Sequence, residues 1–199
     1  MRTLLATNKA ALPLTALMCA TAFWIFSEQN LMAPSLSSVA EEFGFNDEEK
    51  DMKLGGELSI GFFLVGGICG LLVGYLTDAE AARISRTMLF AIVVLCGKVG
   101  CIGTYLCSSF TELLVYRAIT GVAVGGAAPI IYSILGDLWG TSSRVLVSTC
   151  VGMSMSFGAA FGQVLAAFLA PSYGWRFPFI VVAIPSLICV AMLMLVKDP

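Results

Sequence analysis

The sequence predicts an all-α membrane protein with six transmembrane helices. Of its 199 residues, 58% are hydrophobic and only 12% are charged, whereas soluble domains average roughly 25% charged residues. The mean hydropathy is +0.92. A helix needs about 20 mostly apolar residues to cross the hydrocarbon core of a bilayer. Six segments meet this requirement, at roughly 12–32, 55–77, 87–107, 113–136, 145–169 and 177–196.

The first segment contains three polar residues, Glu28, Gln29 and Asn30, in the stretch FWIFSEQNLMAP. A charge inside a span costs at least ~2.5 kcal/mol and usually serves a function. We interpret the segment as a retained helix, because it is too long for the apolar part of a signal peptide. One alternative stays open, in which Glu28 only ends the helix at the headgroups.

The fourth segment carries Arg117 near its outer end, at a depth similar to that of Glu28 if the first segment runs outward. Buried charges pair where they can, so we expect a Glu28–Arg117 pair, direct or through water. A carboxylate that alternates between an arginine and an apolar environment can bind and release a proton. Gln29 and Asn30 would add hydrogen-bonding groups. The alternative for Arg117 is that it snorkels to the outer surface.

Lys98 lies near the middle of the third segment, in CGKVG. Snorkelling from this depth is strained, and the flanking glycines leave room around the side chain. The sequence leaves two interpretations open: Lys98 lines a cavity, or it pairs with a carboxylate.

Glycines recur at four-residue spacing in three of the segments. Such faces let helix backbones approach closely in lipid. The packing candidates are Gly66, Gly70, Gly121, Gly125, Gly158 and Gly162.

Composition argues against several other classes of function. The chain has no histidine, which removes Ser/His and Cys/His catalysis and His-ligated zinc, so we expect neither an enzyme nor a cofactor. The seven cysteines lie in apolar segments without a CxxC pair and are read as packing residues. A net charge of −2 predicts no nucleic-acid partner. The acidic stretch Glu41–Lys53 is interpreted as a solvated loop rather than a calcium site.

Lys and Arg placement predicts the orientation in the membrane. With the N-terminus inside, six of these residues fall on the cytosolic side and three on the outer side. We therefore expect both termini in the cytosol, in a plasma membrane or an endomembrane. The inner set is Arg2, Lys9, Arg83, Arg86, Arg144 and Lys197, and the outer set is Lys50, Lys53 and Arg176.

The connection between the second and third segments, GYLTDAEAARISR, resembles the loop signature G-x-x-x-D-R-x-G-R-R of major facilitator superfamily transporters. Gly74, Asp78 and Arg83 fit the signature, and alanines depart from it at 79, 81 and 82. The resemblance implies a latch between two halves of a transporter, weakened here by the alanines.

Two further motifs resemble the same family. YRAITGVAVGG fits R-x-x-x-G-x-x-x-G through Arg117, Gly121 and Gly125, and YGWRFPF is similar to the entry of the sixth helix. The resemblance implies the N-terminal half of a transporter, over residues 1–199, built as a 3+3 inverted repeat. It also implies that the third and sixth helices face outward, which leaves Lys98 without an explanation.

Within the superfamily, the end of the first segment and KLGGELSIGFFLVGG resemble spinster-like transporters, with Glu28 at an acidic position and Gln29 where an arginine is usual. The resemblance implies proton-coupled transport of an organic solute, with a lysolipid or another amphipathic anion as substrate class. The expected partners are the bilayer, this solute, protons, and a missing C-terminal half or a second copy. The alternative is a truncated, transport-incompetent half that acts as an interaction or regulatory subunit.

Overall fold

The computed structural model describes residues 11–78 and 84–195, and this part of the chain is almost entirely helical. A 3₁₀ turn, Ala33–Ser35, precedes the second helix, and a π-helical segment, Lys50–Glu57, joins the third helix to the fourth without a break. The α-helices are α1 (Ala11–Ser27), α2 (Leu36–Phe43), α3 (Asp47–Glu49), α4 (Leu58–Asp78), α5 (Arg86–Leu106), α6 (Phe110–Leu138), α7 (Thr141–Tyr173) and α8 (Phe177–Leu195).

Five helices in the described ranges are long and apolar enough to cross a membrane: Asp47–Thr77 and α5 to α8. The shorter apolar helix α1 ends at Ser27, earlier than the predicted boundary at 32. At this end the amide N–H groups of Glu28 and Gln29 donate to carbonyls three residues earlier, which tightens the last turn. Pro34 lies in the first turn of the 3₁₀ segment that follows, where the missing N–H of a proline is tolerated. The polar group of the first segment therefore lies in a turn within the protein.

The acidic stretch Glu41–Lys53 is largely helical, so its interpretation as a loop was wrong. Gly44 ends α2 in the left-handed conformation, with φ at 69°. The Asn46 side chain then accepts from the Glu49 amide, and the Glu49 carboxylate accepts from the Asn46 amide. This capping box starts α3 at Asp47, with three residues between it and the end of α2. The acidic side chains remain on the surface.

The helices α4 and α6 approach each other through glycines. A Cβ atom added to Gly66 would lie 2.8 Å from the Gly121 carbonyl oxygen, and one added to Gly70 would lie 2.9 Å from that of Gly125. Real Cβ atoms do not come so close to a backbone oxygen, so these positions accept only glycine without movement of a helix. By contrast, a Cβ on Gly74 would make an ordinary 3.9 Å contact with Pro129.

The first and fifth spans, α1 and α7, meet in the same manner. Gly158 packs against the backbone of Phe23, and Gly162 packs against the backbone of Ser27. The second of these contacts is adjacent to Glu28. Together with packing of α1 on α8 and of α5 on α6 and α8, it encloses the end of α1 inside the bundle.

Candidate functional site: a buried charged cluster

The carboxylate of Glu28 pairs with the ammonium group of Lys98. Lys98 Nζ donates to Glu28 Oε1, and the two side chains are 2% and 0% exposed. Lys98 is thus a buried partner of a carboxylate, which decides between the two interpretations that the sequence left open. The geometry also corrects the expected Glu28–Arg117 side-chain pair, because the carboxylate turns towards α5.

Arg117 contacts Glu28 through the main chain. Its Nη1 donates to the Glu28 carbonyl oxygen at 3.0 Å, and its Nη2 donates to the Gln29 carbonyl oxygen at 2.8 Å. These carbonyls follow the last residue of α1, where the helix dipole places partial negative charge. Arg117 is only 3% exposed, so it does not snorkel to a surface. It caps the end of α1 from α6.

Aromatic rings form the apolar wall around Arg117. Its guanidinium carbon lies 4.8 Å from the centre of the Phe62 ring and 5.6 Å from that of Phe179. A cation over an aromatic face gains electrostatic energy, and more so where water is excluded. Phe62 belongs to α4 and Phe179 to α8, so the cluster joins the end of α1 to four other helices.

Two polar atoms of the cluster lack a hydrogen-bond partner: Glu28 Oε2 and Arg117 Nε, both buried. One is an acceptor and the other a donor. Unpaired buried polar atoms are uncommon in folded proteins and call for an explanation. The cluster is therefore buried and polar, and it contains one hydrogen-bond acceptor and one donor that are unpaired.

Close packing of α5 on α6 explains why Lys98 points inward. A Cβ added to Gly100 would lie 2.5 Å from the Tyr116 carbonyl oxygen and 2.6 Å from the Thr120 nitrogen. Gly97 similarly leaves no space before Ala123. These contacts fix the rotation of α5 about its axis. The helix α5 exposes other side chains, but Lys98 lies on its buried face, which accounts for a residue that the family resemblance left without an explanation.

The other predicted site residues are distributed as follows. Gln29 contributes its carbonyl to the cluster, and both Gln29 and Asn30 are half-buried in the turn after α1. In the predicted latch, Gly74 lies within α4 and Asp78 is the last residue of that helix. Arg83 and the side chain of Asp78 lie outside the described residues.

A second charged group lies at the surface and was not predicted. The Glu42 carboxylate accepts from Trp175 Nε1 and from Arg176 Nη1, each at 2.7 Å, and Arg176 Nη2 donates to the Cys107 carbonyl at 2.9 Å. Desolvation raises the pKa of Glu42, but the hydrogen bonds from Trp175 and Arg176 outweigh it and bring the pKa below its usual value. A cavity of about 640 Å³ opens beside this group.

The amino-acid sequence of this helical bundle matches the model of a known protein family. The description of that family is Major Facilitator Superfamily, and the match covers residues 15–199. The chain belongs to the major facilitator superfamily. The predicted family and its all-helical membrane fold are therefore confirmed, with five candidate spans and one shorter apolar helix in the described ranges.

Curated relatives in the superfamily are transporters. The chain is 27% identical over 156 residues to the multidrug transporter QDR2 of Candida glabrata, covering 78% of this chain and 25% of that one. It is 27% identical over 169 residues to the cis,cis-muconate transport protein of Acinetobacter baylyi, covering 85% of this chain and 39% of that one. The chain thus spans well under half the length of these relatives.

A similar fold occurs in a bacterial homologue of the human lysosomal transporter Spinster, in an inward-facing and unoccupied conformation. The TM-score is 0.83 at 18% identity, and the match covers 98% of this chain and 44% of that one. At this identity the likeness establishes the superfamily fold, about half of a transporter chain, and nothing further about the solute.

Proposed function

We propose that the protein moves an organic solute across the membrane by proton-coupled secondary transport, and that Glu28, Lys98 and Arg117 form the coupling site. The observation that carries the proposal is the burial of all three side chains inside a membrane-spanning bundle. Ionisable groups in such positions are costly and mark proton relays and solute pathways. Membership in a family of transporters supports the same function.

The proposed solute is an organic anion, and a lysolipid or another amphipathic anion is the narrower candidate. Two cations and one carboxylate meet at the cluster, which favours negative charge nearby. The name of one relative specifies transport of cis,cis-muconate, which is an organic dianion.

We also propose the arrangement of the whole transporter. The chain would be the N-terminal six-helix half, with both ends on the cytosolic side, and a second half or a second copy would complete the central cavity. The glycine faces of α4, α6 and α7 would permit small helix movements. The segment with Gly74, Asp78 and Arg83 would act as the latch between conformations.

Uptake by the full-length protein in proteoliposomes tests the proposal. Radiolabelled cis,cis-muconate and lysophosphatidic acid serve as probes, because both are anions and only the second is amphipathic. We expect one of them to accumulate when a pH gradient is imposed and to lose this accumulation when a protonophore is added. Uptake that is independent of the gradient would contradict proton coupling.

A matched pair of variants assigns the coupling to the cluster. Glu28→Gln removes the buried carboxylate, whereas Glu41→Gln removes an exposed one from α2. We expect only Glu28→Gln to abolish gradient-driven accumulation. Equal accumulation by both variants and the unmodified protein would remove Glu28 from the coupling site.

A further inference from the structure

The charge balance of the cluster identifies the group that can lose or gain a proton. When all three side chains are ionised, the cluster holds two cations and one carboxylate: Lys98 binds the Glu28 carboxylate, and Arg117 binds the main-chain carbonyl of the same residue. The carbonyl end of α1 offsets only about half a charge. Protonation of Glu28 would leave Lys98 and Arg117 buried without a counter-ion, which is very costly. Loss of a proton from Lys98 would leave one anion and one cation.

The unpaired atoms indicate how the cluster could rearrange when Lys98 loses a proton. Glu28 Oε2 lacks a donor and Arg117 Nε lacks an acceptor. Arg117 already holds the main-chain carbonyl of Glu28 at 3.0 Å. Rotation of the Glu28 side chain towards this guanidinium would give each of the two unpaired atoms a partner.

Other titratable side chains in the described ranges do not alter this balance. The Cys101 thiol of α5 donates to the Phe179 carbonyl of α8 at 3.3 Å, so it faces the cluster as a neutral group. The neighbouring helices α4 and α8 present Phe62 and Phe179 to the cluster. Charged residues elsewhere on α5 to α7 whose side chains are described lie towards the helix ends and outside the cluster: Arg86, Glu112, Asp137 and Arg144.

We infer that Lys98 carries the exchangeable proton of this cluster, while Glu28 stays ionised and passes from Lys98 to Arg117 when that proton leaves. In the forward step the Lys98 ammonium group becomes a neutral amine, and its proton goes to water on the side to which the cluster is then open. The Glu28 carboxylate leaves Nζ and pairs with Arg117 Nε. Reprotonation of Lys98 restores the arrangement seen here. The inference rests on the proposed proton coupling for its role in transport.

Solid-state NMR of the full-length protein in lipid tests this assignment without any solute. The lysine Nζ atoms are labelled with ¹⁵N and the glutamate carboxyl carbons with ¹³C, and pH is varied from about 4.5 to about 10, between the usual values of the two groups. We expect one Nζ resonance, missing in Lys98→Arg, to change from an ammonium to a neutral-amine shift. The carboxyl resonance missing in Glu28→Gln should keep the shift of an ionised group.

Two NMR outcomes would overturn the inference. One is a Glu28 carboxyl resonance that moves to the protonated position while Lys98 stays charged. The other is a titration in which neither Glu28 nor Lys98 changes its charge anywhere in the measured pH range. Both outcomes are independent of transport, so a failure here differs from a failure to find a transported solute.

A transport measurement then links Lys98 to coupling. Lys98→Arg keeps a positive charge, because an arginine side chain does not lose its proton. Lys53→Arg is the matched change in a partly exposed ion pair with Glu49. With cis,cis-muconate or lysophosphatidic acid as the probe, we expect Lys98→Arg to retain solute exchange without a gradient and to lose gradient-driven accumulation. Lys53→Arg should retain both. Full gradient-driven accumulation by Lys98→Arg would contradict the inference. If that variant does not insert into the membrane, the NMR titration of the unmodified protein tests the inference instead.

Discussion

Two carboxylates at the ends of the same short segment, Glu28 and Glu42, each bind a cation from a later part of the chain, yet their surroundings are opposite. Glu28 meets Lys98 with both side chains 2% exposed or less. Glu42 meets Arg176 with its side chain 42% exposed. The segment between them contains the turn after α1 and most of α2, so one pair fixes its buried end and the other fixes its outer end.

The difference shows that the burial of an ion pair determines how much the loss of one partner destabilises the protein. Removal of one partner from a buried pair strands a charge and typically costs about 3–5 kcal/mol. A surface pair contributes about 0–1 kcal/mol. We therefore expect a change of charge in the buried pair of Glu28 and Lys98 to alter the structure around it, whereas the outer pair mainly holds two parts of the chain together.

Glu28→Gln should have the largest effect on stability. Lys98 and Arg117 would remain buried without a carboxylate, so we expect a loss of about 3–5 kcal/mol in the free energy of unfolding. Thermal unfolding in detergent measures it. Lys98→Met is the informative comparison, because Arg117 can then pair with the Glu28 carboxylate, so the loss in unfolding free energy should be smaller than that of Glu28→Gln. Equal losses would contradict the exchange of partners.

Gly162→Ala should weaken the buried end of the segment without touching a charge. The added methyl group would collide with the Ser27 carbonyl of α1, next to Glu28. Overpacking of this kind costs about 1–3 kcal/mol, and the same unfolding measurement detects it. Gly55→Ala is the control near the outer end, where nothing lies within 4 Å of an added Cβ. A Gly162→Ala variant as stable as Gly55→Ala would indicate that α1 and α7 are not held in close contact.

Glu42→Gln should have a small effect, because the pair with Arg176 is partly exposed and Trp175 can still donate to the amide oxygen. We expect a loss of no more than about 1 kcal/mol in unfolding free energy. A loss as large as that of Glu28→Gln would break the contrast between the two ends.

The smallest effect is the dependence of this outer pair on pH. The pKa of Glu42 lies below its usual value of 4.5, because hydrogen bonds from Trp175 and Arg176 outweigh desolvation. A carboxylate with a lowered pKa in the folded state stabilises the protein above its unfolded value and loses that contribution as pH falls through the folded value. The stability difference between the unmodified protein and Glu42→Gln should thus shrink below about pH 4.5. A difference that grows on acidification would show the opposite sign.

The sequence was sufficient to find the charged residues of the buried cluster. Glu28, Lys98 and Arg117 each interrupt an apolar segment, and the cost of a charge in lipid makes such positions stand out. Their pairing could not be obtained in the same way. It depends on the rotation of α5, which is set by contacts of Gly97 and Gly100 with α6, and on the turn after Ser27, from which the Glu28 side chain reaches Lys98 of α5.

The surface group of Glu42, Trp175 and Arg176 could not be predicted from sequence patterns, for a different reason. Glu42 and Trp175 are separated by 133 positions. Glu42 lies in the short helix α2 and Trp175 in the turn between α7 and α8, so no helical period relates one side chain to the other. The acidic stretch was likewise interpreted as a loop because its charges dominate its composition. The capping signal of Asn46 and Glu49, three residues apart, was present in the sequence and could have indicated the helix start.

The most direct test of the proposed coupling site is to record proton and solute flux in the same vesicles. A pH-sensitive dye inside proteoliposomes reports proton entry while labelled cis,cis-muconate or lysophosphatidic acid enters with the gradient. We expect solute entry to bring protons in with it for the unmodified protein and for Glu41→Gln, and this linked proton entry to be absent in Glu28→Gln. Linked proton entry of equal size in Glu28→Gln would show that the proton path lies elsewhere in the transporter.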